Sequence, residues 1–297
     1  MRKNLTKKLF LSVLTLAFAV ISLGASTYAW FVLSNEATVQ PFTGTVTSAS
    51  GIEIGITNYN DSTAPSEWFT GLLKTADIED FAAFEFDSFS DVTSPDGKTF
   101  KDINGTEITK AAKKSFVAFN LWFRAPEECT VNLTEINFAT TGASQKTIDQ
   151  SFKLSTGKTV NLNDQIEFKV EDAIRVSFVA NGTTVKGIYQ NNAASDEITV
   201  AEGVQTGYAG NSVGFDTEFG AHQYYEKKTN TELEAQSEPS GVKQIDAIND
   251  DELLSLVANE AQYVTVYVWV EGFDGECINY IFSQVLAVDF KFGLPTE

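Results

Sequence analysis

The residue types that could do chemistry are few, and their densest grouping is Gly210-Asn211-Ser212-Val213-Gly214, followed by Asp216 and by the only histidine, His222. A G-x-S-x-G with Ser, Asp and His in that order is the layout of a nucleophile elbow: the serine attacks an acyl carbon, the histidine takes its proton and the aspartate orients the imidazole. The surroundings oppose this reading. An elbow needs an apolar strand before the serine and a helix after it, whereas Gln205-Thr206-Gly207-Tyr208-Ala209 precedes and Phe215-Asp216-Thr217-Glu218-Phe219 follows. All three groups also fall within 11 residues, where hydrolase triads draw on well-separated loops. No catalytic residue is therefore assigned, no enzyme is expected, and His222, within Ala221-His222-Gln223-Tyr224-Tyr225, reads as a surface or loop histidine.

Metal chemistry is narrowed by count. One histidine cannot supply the paired histidines of a zinc-protease helix, and two cysteines, Cys129 and Cys277, cannot build a cysteine-rich zinc site. No phosphate-cradling glycine loop is present. Paired carboxylates of the glycosidase kind carry no signal, because among 40 acidic residues some pair always falls at a suitable spacing. No cofactor is expected; calcium is the one ion left weakly open. Asp91 with Asp96-Gly97, Asn161 to Asp164, Asn249 to Glu252, and Asp274 with Glu276 are oxygen-rich, but none follows an EF-hand loop, and each reads as a solvated turn. Cys129 and Cys277 could be joined by one disulfide across a long loop or remain two buried thiols, and both readings stand. Asn104-Gly105-Thr106, Asn132-Leu133-Thr134 and Asn181-Gly182-Thr183 match the glycosylation sequon, a pattern short enough to arise by chance.

The elements that must position any site read mainly as strands. Ile52, Ile54 and Ile56 alternate with polar or small residues, as do Val117, Phe119, Leu121 and Phe123, and Leu286, Val288, Phe290 and Phe292. Ile174, Val176 and Phe178 run into Asn181-Gly182 and back through Val185, the pattern of a hairpin with a type I′ turn. Segment 263 to 270 places Val264, Val266, Val268 and Val270 on one face and Tyr263, Tyr267 and Trp269 on the other, which predicts a central strand buried on both sides. Asn249-Asp250-Asp251-Glu252 before Leu253, Leu254, Leu256 and Val257 predicts a capped helix. Ser66 to Phe89 is ambiguous, with Phe81, Phe84, Phe86 and Phe89 read as core. Stretches 141 to 165, 191 to 219 and 226 to 247 read as long surface loops or insertions.

The first 33 residues carry the most specific signal. Arg2, Lys3, Lys7 and Lys8 precede an uncharged run from Leu9 to Leu23, and Thr27-Tyr28-Ala29 puts a small residue before Trp30, so a signal peptidase is expected to cut between Ala29 and Trp30. The alternative is a retained anchor, since Leu9 to Leu33 is long enough to span a bilayer. Cleavage removes four positive charges and no negative one, taking the formal net charge from −19 to −23. So acidic a chain is repelled by phosphate backbones and anionic lipid heads, so nucleic acid is not an expected partner and membrane contact is expected only through an uncleaved signal segment. Leu294-Pro295-Thr296-Glu297 lacks the apolar tail of a wall-sorting signal, and covalent anchoring is not expected.

Gly24-Ala25-Ser26-Thr27-Tyr28-Ala29-Trp30-Phe31, with Asn35-Glu36-Ala37-Thr38-Val39, Gly44-Thr45 and Gly51-Ile52-Glu53-Ile54, resembles the N-terminal block of the TasA and camelysin family of secreted bacterial proteins. Trp269-Val270-Glu271-Gly272-Phe273-Asp274-Gly275-Glu276-Cys277 looks like the W-x-E-G-x-D-x-x-C ending of secreted proteins carrying this signal. The resemblance implies processing by a dedicated signal peptidase, a jelly-roll fold, and matrix fibres in which each subunit donates its N-terminal strand to the next. The metallopeptidase activity attributed to camelysin-like members is not carried over, because no histidine pair supports it. The residues themselves agree with strand donation: Trp30, Phe31, Val32, Leu33, Val39, Phe42 and Val46 make an apolar new terminus, and Pro41 confines the segment to an edge or to two short pieces. Pairing of that strand within its own subunit is the competing outcome.

The expectation is thus a signal helix over 1–29 and a single domain over 30–297, mainly β. Its form is a jelly-roll-like antiparallel β-sandwich with a few short helices and long loop insertions. Residues 30–48 serve as donor or edge strand. The expected function is that of a secreted, non-enzymatic structural protein of the bacterial surface or biofilm matrix, self-associating or joining related subunits. The alternative is a secreted adhesin or glycan-binding module using Tyr208, Tyr224 and Tyr225.

Overall fold

Valine at every second position makes β20 (Gln262–Glu271) the centre of the largest sheet. Val264, Val266, Val268 and Val270 are fully buried on one face, and Thr265 and Trp269 are buried on the other. In this computed structural model, which describes residues 46–48, 51–73, 88–102, 104–108, 114–142, 145–154, 158–192, 197–201, 204–208, 220–230, 232, 238–278, 281 and 284–295, the chain is mainly β and most pairings are antiparallel. β8 (Lys114–Arg124) and β14 (Ile174–Ala180) flank β20, with Val266 opposite Phe119 on one side and Phe178 on the other. The sheet continues through β2 (Glu53–Asn58) and β3 (Phe69–Thr70) beyond β8, and through β15 (Thr184–Gln190) and β18 (Val242–Gln244) beyond β14. Three short strands, β5 (Ser88–Phe89), β6 (Asp91–Thr93) and β7 (Lys101–Asp102), complete its ten.

A five-stranded sheet lies against it, in the order β19 (Asp251–Leu256), β9 (Cys129–Thr141), β21 (Val285–Gly293), β1 (Val46–Ser48) and β4 (Leu72–Leu73). Alternation decides which side of β21 faces inward: Leu286, Val288, Phe290 and Phe292 are buried, while Lys291 between them is exposed. Phe292 meets Phe123 of the large sheet edge to face at 5.1 Å, and Phe290 meets Phe178 at 5.6 Å. Burying each such ring contributes about 1.5–3 kcal/mol. One hydrophobic cluster runs through both sheets and into the segment 148–168.

That segment belongs to an insert the sequence presents as loop. β10 (Lys146–Thr147), β13 (Gln165–Glu167), β17 (Val204–Tyr208) and β16 (Glu197–Ala201) form a four-stranded sheet, and β11 (Phe152–Lys153) pairs with β12 (Thr159–Val160). Helix α1 (Gly220–Thr229) packs on β11, where Phe152 meets Tyr224 at 5.5 Å. The expected loops at 141–165, 191–219 and 226–247 therefore contain short strands and the end of a helix. Their Thr, Gln and Glu content conceals the pairing, because strands held mainly by backbone hydrogen bonds need no apolar alternation.

The predicted helix after Asn249 is also corrected: Asp251–Leu256 is strand β19. Its pairing with β9 passes over Leu253, with Glu252 opposite Asn132 and Leu254 opposite Val131. This bulge brings Leu253, Leu254 and Leu256 all to the core and imitates a helical stripe. The hairpin forms as the Asn-Gly pair predicts: Asn181 and Gly182 have φ of 47° and 68°, and Thr183 N–H donates to Ala180 O at 3.0 Å. On the aromatic face the two-sided burial holds for Trp269, which Phe100 covers at 5.3 Å; Tyr267, 5.4 Å from Phe100, and Tyr263, 4.7 Å from Trp122, are half-buried. Phe81, Phe84 and Phe86, like residues 1–45, lie outside the described residues.

Candidate functional site

Arg175 sits in the middle of β14, a strand whose seven residues are all buried, and its own side chain is fully excluded from water. A guanidinium there must be satisfied by the protein, since an unpaired buried charge costs several kcal/mol. Arg175 Nη2 donates to Gln190 Oε1 at 3.1 Å and to Glu238 Oε1 at 2.7 Å, and Nη1 lies 3.9 Å from Glu271 Oε2. The opposing charges come from the end of β20 and the turn after it, where Glu271, Asp274 and Glu276 are 0%, 1% and 2% exposed. Asp172, at the end of the 3-10 turn Val170–Asp172, is equally hidden at 1%.

The turn is locked by its own side chains. Glu271 accepts from the Trp269 indole at 3.1 Å and from Phe273 N–H at 3.2 Å, and its backbone N–H donates to Ala173 O at 2.8 Å. Gly272 N–H donates to Val92 O at 2.8 Å, tying in β6. Asp274 accepts from Glu276 N–H at 3.1 Å, and Cys277 N–H closes onto Asp274 O at 3.0 Å. Ala221 N–H reaches Gly275 O at 2.8 Å, which seats the start of α1 on this turn. Gly220 there has φ +55°, and a Cβ on it would lie 2.2 Å from Gly275 O, so only glycine fits. The W-x-E-G-x-D-x-x-C residues are thus a polar hub joining β20, β14, β6, the 3-10 turn and α1.

Electrostatically the hub is overloaded with acid. Burial raises Glu271 against the opposing pull of Arg175, the Trp269 indole, Thr93 and Phe273 N–H. Burial likewise raises Asp274, opposed first by the Glu276 side chain and then by Arg175. For Asp172, burial reinforced by Glu171 and Asp274 pushes the carboxyl up to about 8, with Lys169 and the Asn191 amide pulling the other way. Groups this deep do not present a nucleophile or base to a substrate, so the chemistry open to them is proton retention and structural cross-linking.

Among the sequence-derived candidates, His222 is corrected. It is a buried helix residue of α1 at 7% exposure, its Nε2 3.0 Å from Glu226 Oε1 one turn on. Ser212 and Asp216 lie outside the described residues, as do Ala29, Trp30, Phe31, Val32, Leu33, Val39 and Phe42. Val46 is described: it is fully buried in β1, which runs parallel to β21 with Val46 opposite Phe290 and antiparallel to β4. Cys129 and Cys277 are both free thiols in the structure, Cys129 partly exposed and Cys277 buried. Burial raises the Cys129 thiol.

The turn of Asp274 and Glu276, expected to be solvated, is buried; the Asp96 and Asn161 to Asp164 turns are hydrogen-bonded local turns, with Asp96 Oδ1 accepting from Lys98 N–H and Thr99 N–H at 3.0 and 2.7 Å. Asn132 of one sequon is a buried residue of β9, paired on both sides. Tyr224, offered as a loop contact for glycan, is 3% exposed and donates its hydroxyl to Asp149 at 2.7 Å.

Among the described residues no three His, Cys, Asp or Glu side chains converge to hold a metal ion. An open groove of about 420 Å³ lies beside β15, lined by Pro95, Asp96, Val185, Lys186 and the 239–241 loop. Sequence reading missed the hub because its acids are a few among 40, and one signal could have exposed it: Arg175 interrupts a run of strand residues that are otherwise apolar or small. No family model, curated protein or solved structure matches the chain.

Proposed function

We propose that the chain is a secreted, non-enzymatic structural protein of the bacterial surface or matrix, built as a jelly-roll-like sandwich and assembled through its N-terminal segment. The observation that carries this reading is the position of β1. A three-residue strand is inserted between β21 and β4, and in the sequence it follows a stretch carrying Trp30, Phe31, Val32, Leu33, Val39 and Phe42. Without β1, residues 290–292 of β21 would lose their neighbour and open a slot in the five-stranded sheet. A slot of that kind accepts an extended segment by main-chain hydrogen bonding, whether from the same subunit or from the next. The export signal before Trp30 and the strongly acidic mature composition fit a soluble extracellular subunit.

The test is negative-stain electron microscopy of residues 30–297 at raised concentration, with calcium present and absent. Filaments are expected. Dispersed particles under every condition would contradict assembly and return attention to the groove beside β15 as a ligand site.

A further inference from the structure

Four carboxyl groups, those of Asp172, Glu271, Asp274 and Glu276, are 2% exposed or less, and the one guanidinium buried with them is Arg175. Glu238 adds a fifth acid from the partly exposed loop before β18. Fully ionised, this cluster would hold several negative charges out of water around a single positive one, a state that costs far more than a fold of this size can carry. The geometry indicates what balances them. Asp274 and Glu276 belong to one buried turn, with Glu276 N–H donating to Asp274 Oδ1 at 3.1 Å. Two carboxylates held out of water in one turn repel each other when both are ionised, and a proton on either relieves that repulsion. Asp274 Oδ2 and Asp172 Oδ2 receive no N–H or O–H donor from another residue. Water-excluded acceptors of this kind are tolerable when protonated and costly when ionised.

We propose that the Arg175 hub stores its surplus charge as protons, one on the pair Asp274 and Glu276 and one on Asp172, and that the fold is consequently proton-linked: firm in acid and progressively weaker as the medium turns alkaline.

The charged and polar groups around the hub come from several elements. The 3-10 turn brings Glu171 and, just before it, Lys169, and residue 191 brings the Asn191 amide at 3.3 Å from Asp172 Oδ1. β14 brings Arg175, β15 brings Gln190, the loop before β18 brings Glu238, and β20 brings Glu271. From α1, His222 is held by Glu226. Lys169 and Arg175 are the cations in this set, against the carboxyls of Glu171, Asp172, Glu226, Glu238, Glu271, Asp274 and Glu276. The sign follows from linkage. Asp172, raised from 3.8 to about 8, binds its proton in the native state over a range where the unfolded chain has lost it. Its contribution is intact below the unfolded value and is lost as pH rises toward 8. Each proton held this way raises the unfolding constant about tenfold per pH unit.

The decisive experiment is urea unfolding of the mature chain from about pH 5 to 8 in about 0.5 M NaCl, which screens surface repulsion but leaves buried pairs largely unscreened. The unfolding constant is expected to rise at least tenfold per pH unit, and Asp172→Asn, which mimics the protonated carboxyl, is expected to flatten the slope by about tenfold per unit. Glu276→Gln serves as the second variant: it removes one of the two ionisable carboxyls of the turn and should flatten the slope independently. A pH-independent constant in the wild type, or variants with unaltered slopes, would overturn the proposal. So would stabilisation at pH 8 by millimolar calcium that Asp172→Asn abolishes, because a bound cation and not protons would then balance the cluster.

Discussion

Replacing Arg175 by leucine tests the hub at its single internal cation. The side chain is wholly buried, donates to Gln190 at 3.1 Å and to Glu238 at 2.7 Å, and stands 3.9 Å from the fully buried Glu271. Leucine conserves much of the apolar volume but leaves Glu271 without an opposing charge, and breaking a buried pair in this one-sided manner costs about 3–5 kcal/mol. With a urea slope of about 2–3 kcal/mol per molar, typical of the upper range for single domains, the midpoint should fall by more than about 1 M. The readout is the fluorescence of the buried Trp269 and its fellow tryptophans, followed through the transition at constant slope. The loss should be smaller at pH 5 than at pH 8. Burial already raises Glu271, losing Arg175 raises it further, and the proton it then needs is easier to supply in acid. A midpoint shift under about 0.3 M at neutral pH would refute the claim that the guanidinium organises the hub.

Other expectations follow from single contacts. Gly220→Ala places a Cβ 2.2 Å from Gly275 O at a φ of +55°, so it should cost more than about 1 kcal/mol and loosen α1, seen as a lower melting temperature and faster proteolysis in 220–230. In the native protein Cys129, partly exposed at a strand start, should react with a thiol reagent before buried Cys277, and reductant should leave the melting temperature unchanged because no disulfide is present.

The strands legible in the sequence are those whose two faces differ or are both apolar. β20, β8 and β21 announce themselves through alternating Val, Phe and Leu, and the hairpin through Asn181-Gly182, whose positive φ values few other residue pairs tolerate. β19 was hidden by its bulge at Leu253, which shifts the pattern from period two toward that of a helix. The insert strands β16 and β17 pair through Thr199 with Thr206 and Val200 with Gln205, a composition indistinguishable from loop. The parallel pairing of β1 with β21 joins residues more than two hundred positions apart, and no local pattern encodes that. The hub was half legible: Trp269, Glu271, Asp274 and Cys277 stood out as a motif. Their burial around Arg175, almost a hundred residues earlier, depends on the antiparallel register of β14 with β20, which sets Arg175 opposite Trp269. Asp172 and His222 carried no signal of burial, because Asp beside Glu and His beside Gln are equally common on surfaces.

The most direct measurement of the central claim is sedimentation velocity of residues 30–297 beside residues 49–297 across a range of concentrations. The account predicts concentration-dependent assembly of the first, none for the second, and restoration when a peptide of residues 30–48 supplied in trans binds the shortened chain. Equal sedimentation of the two chains, both folded and monomeric at every concentration, would contradict it.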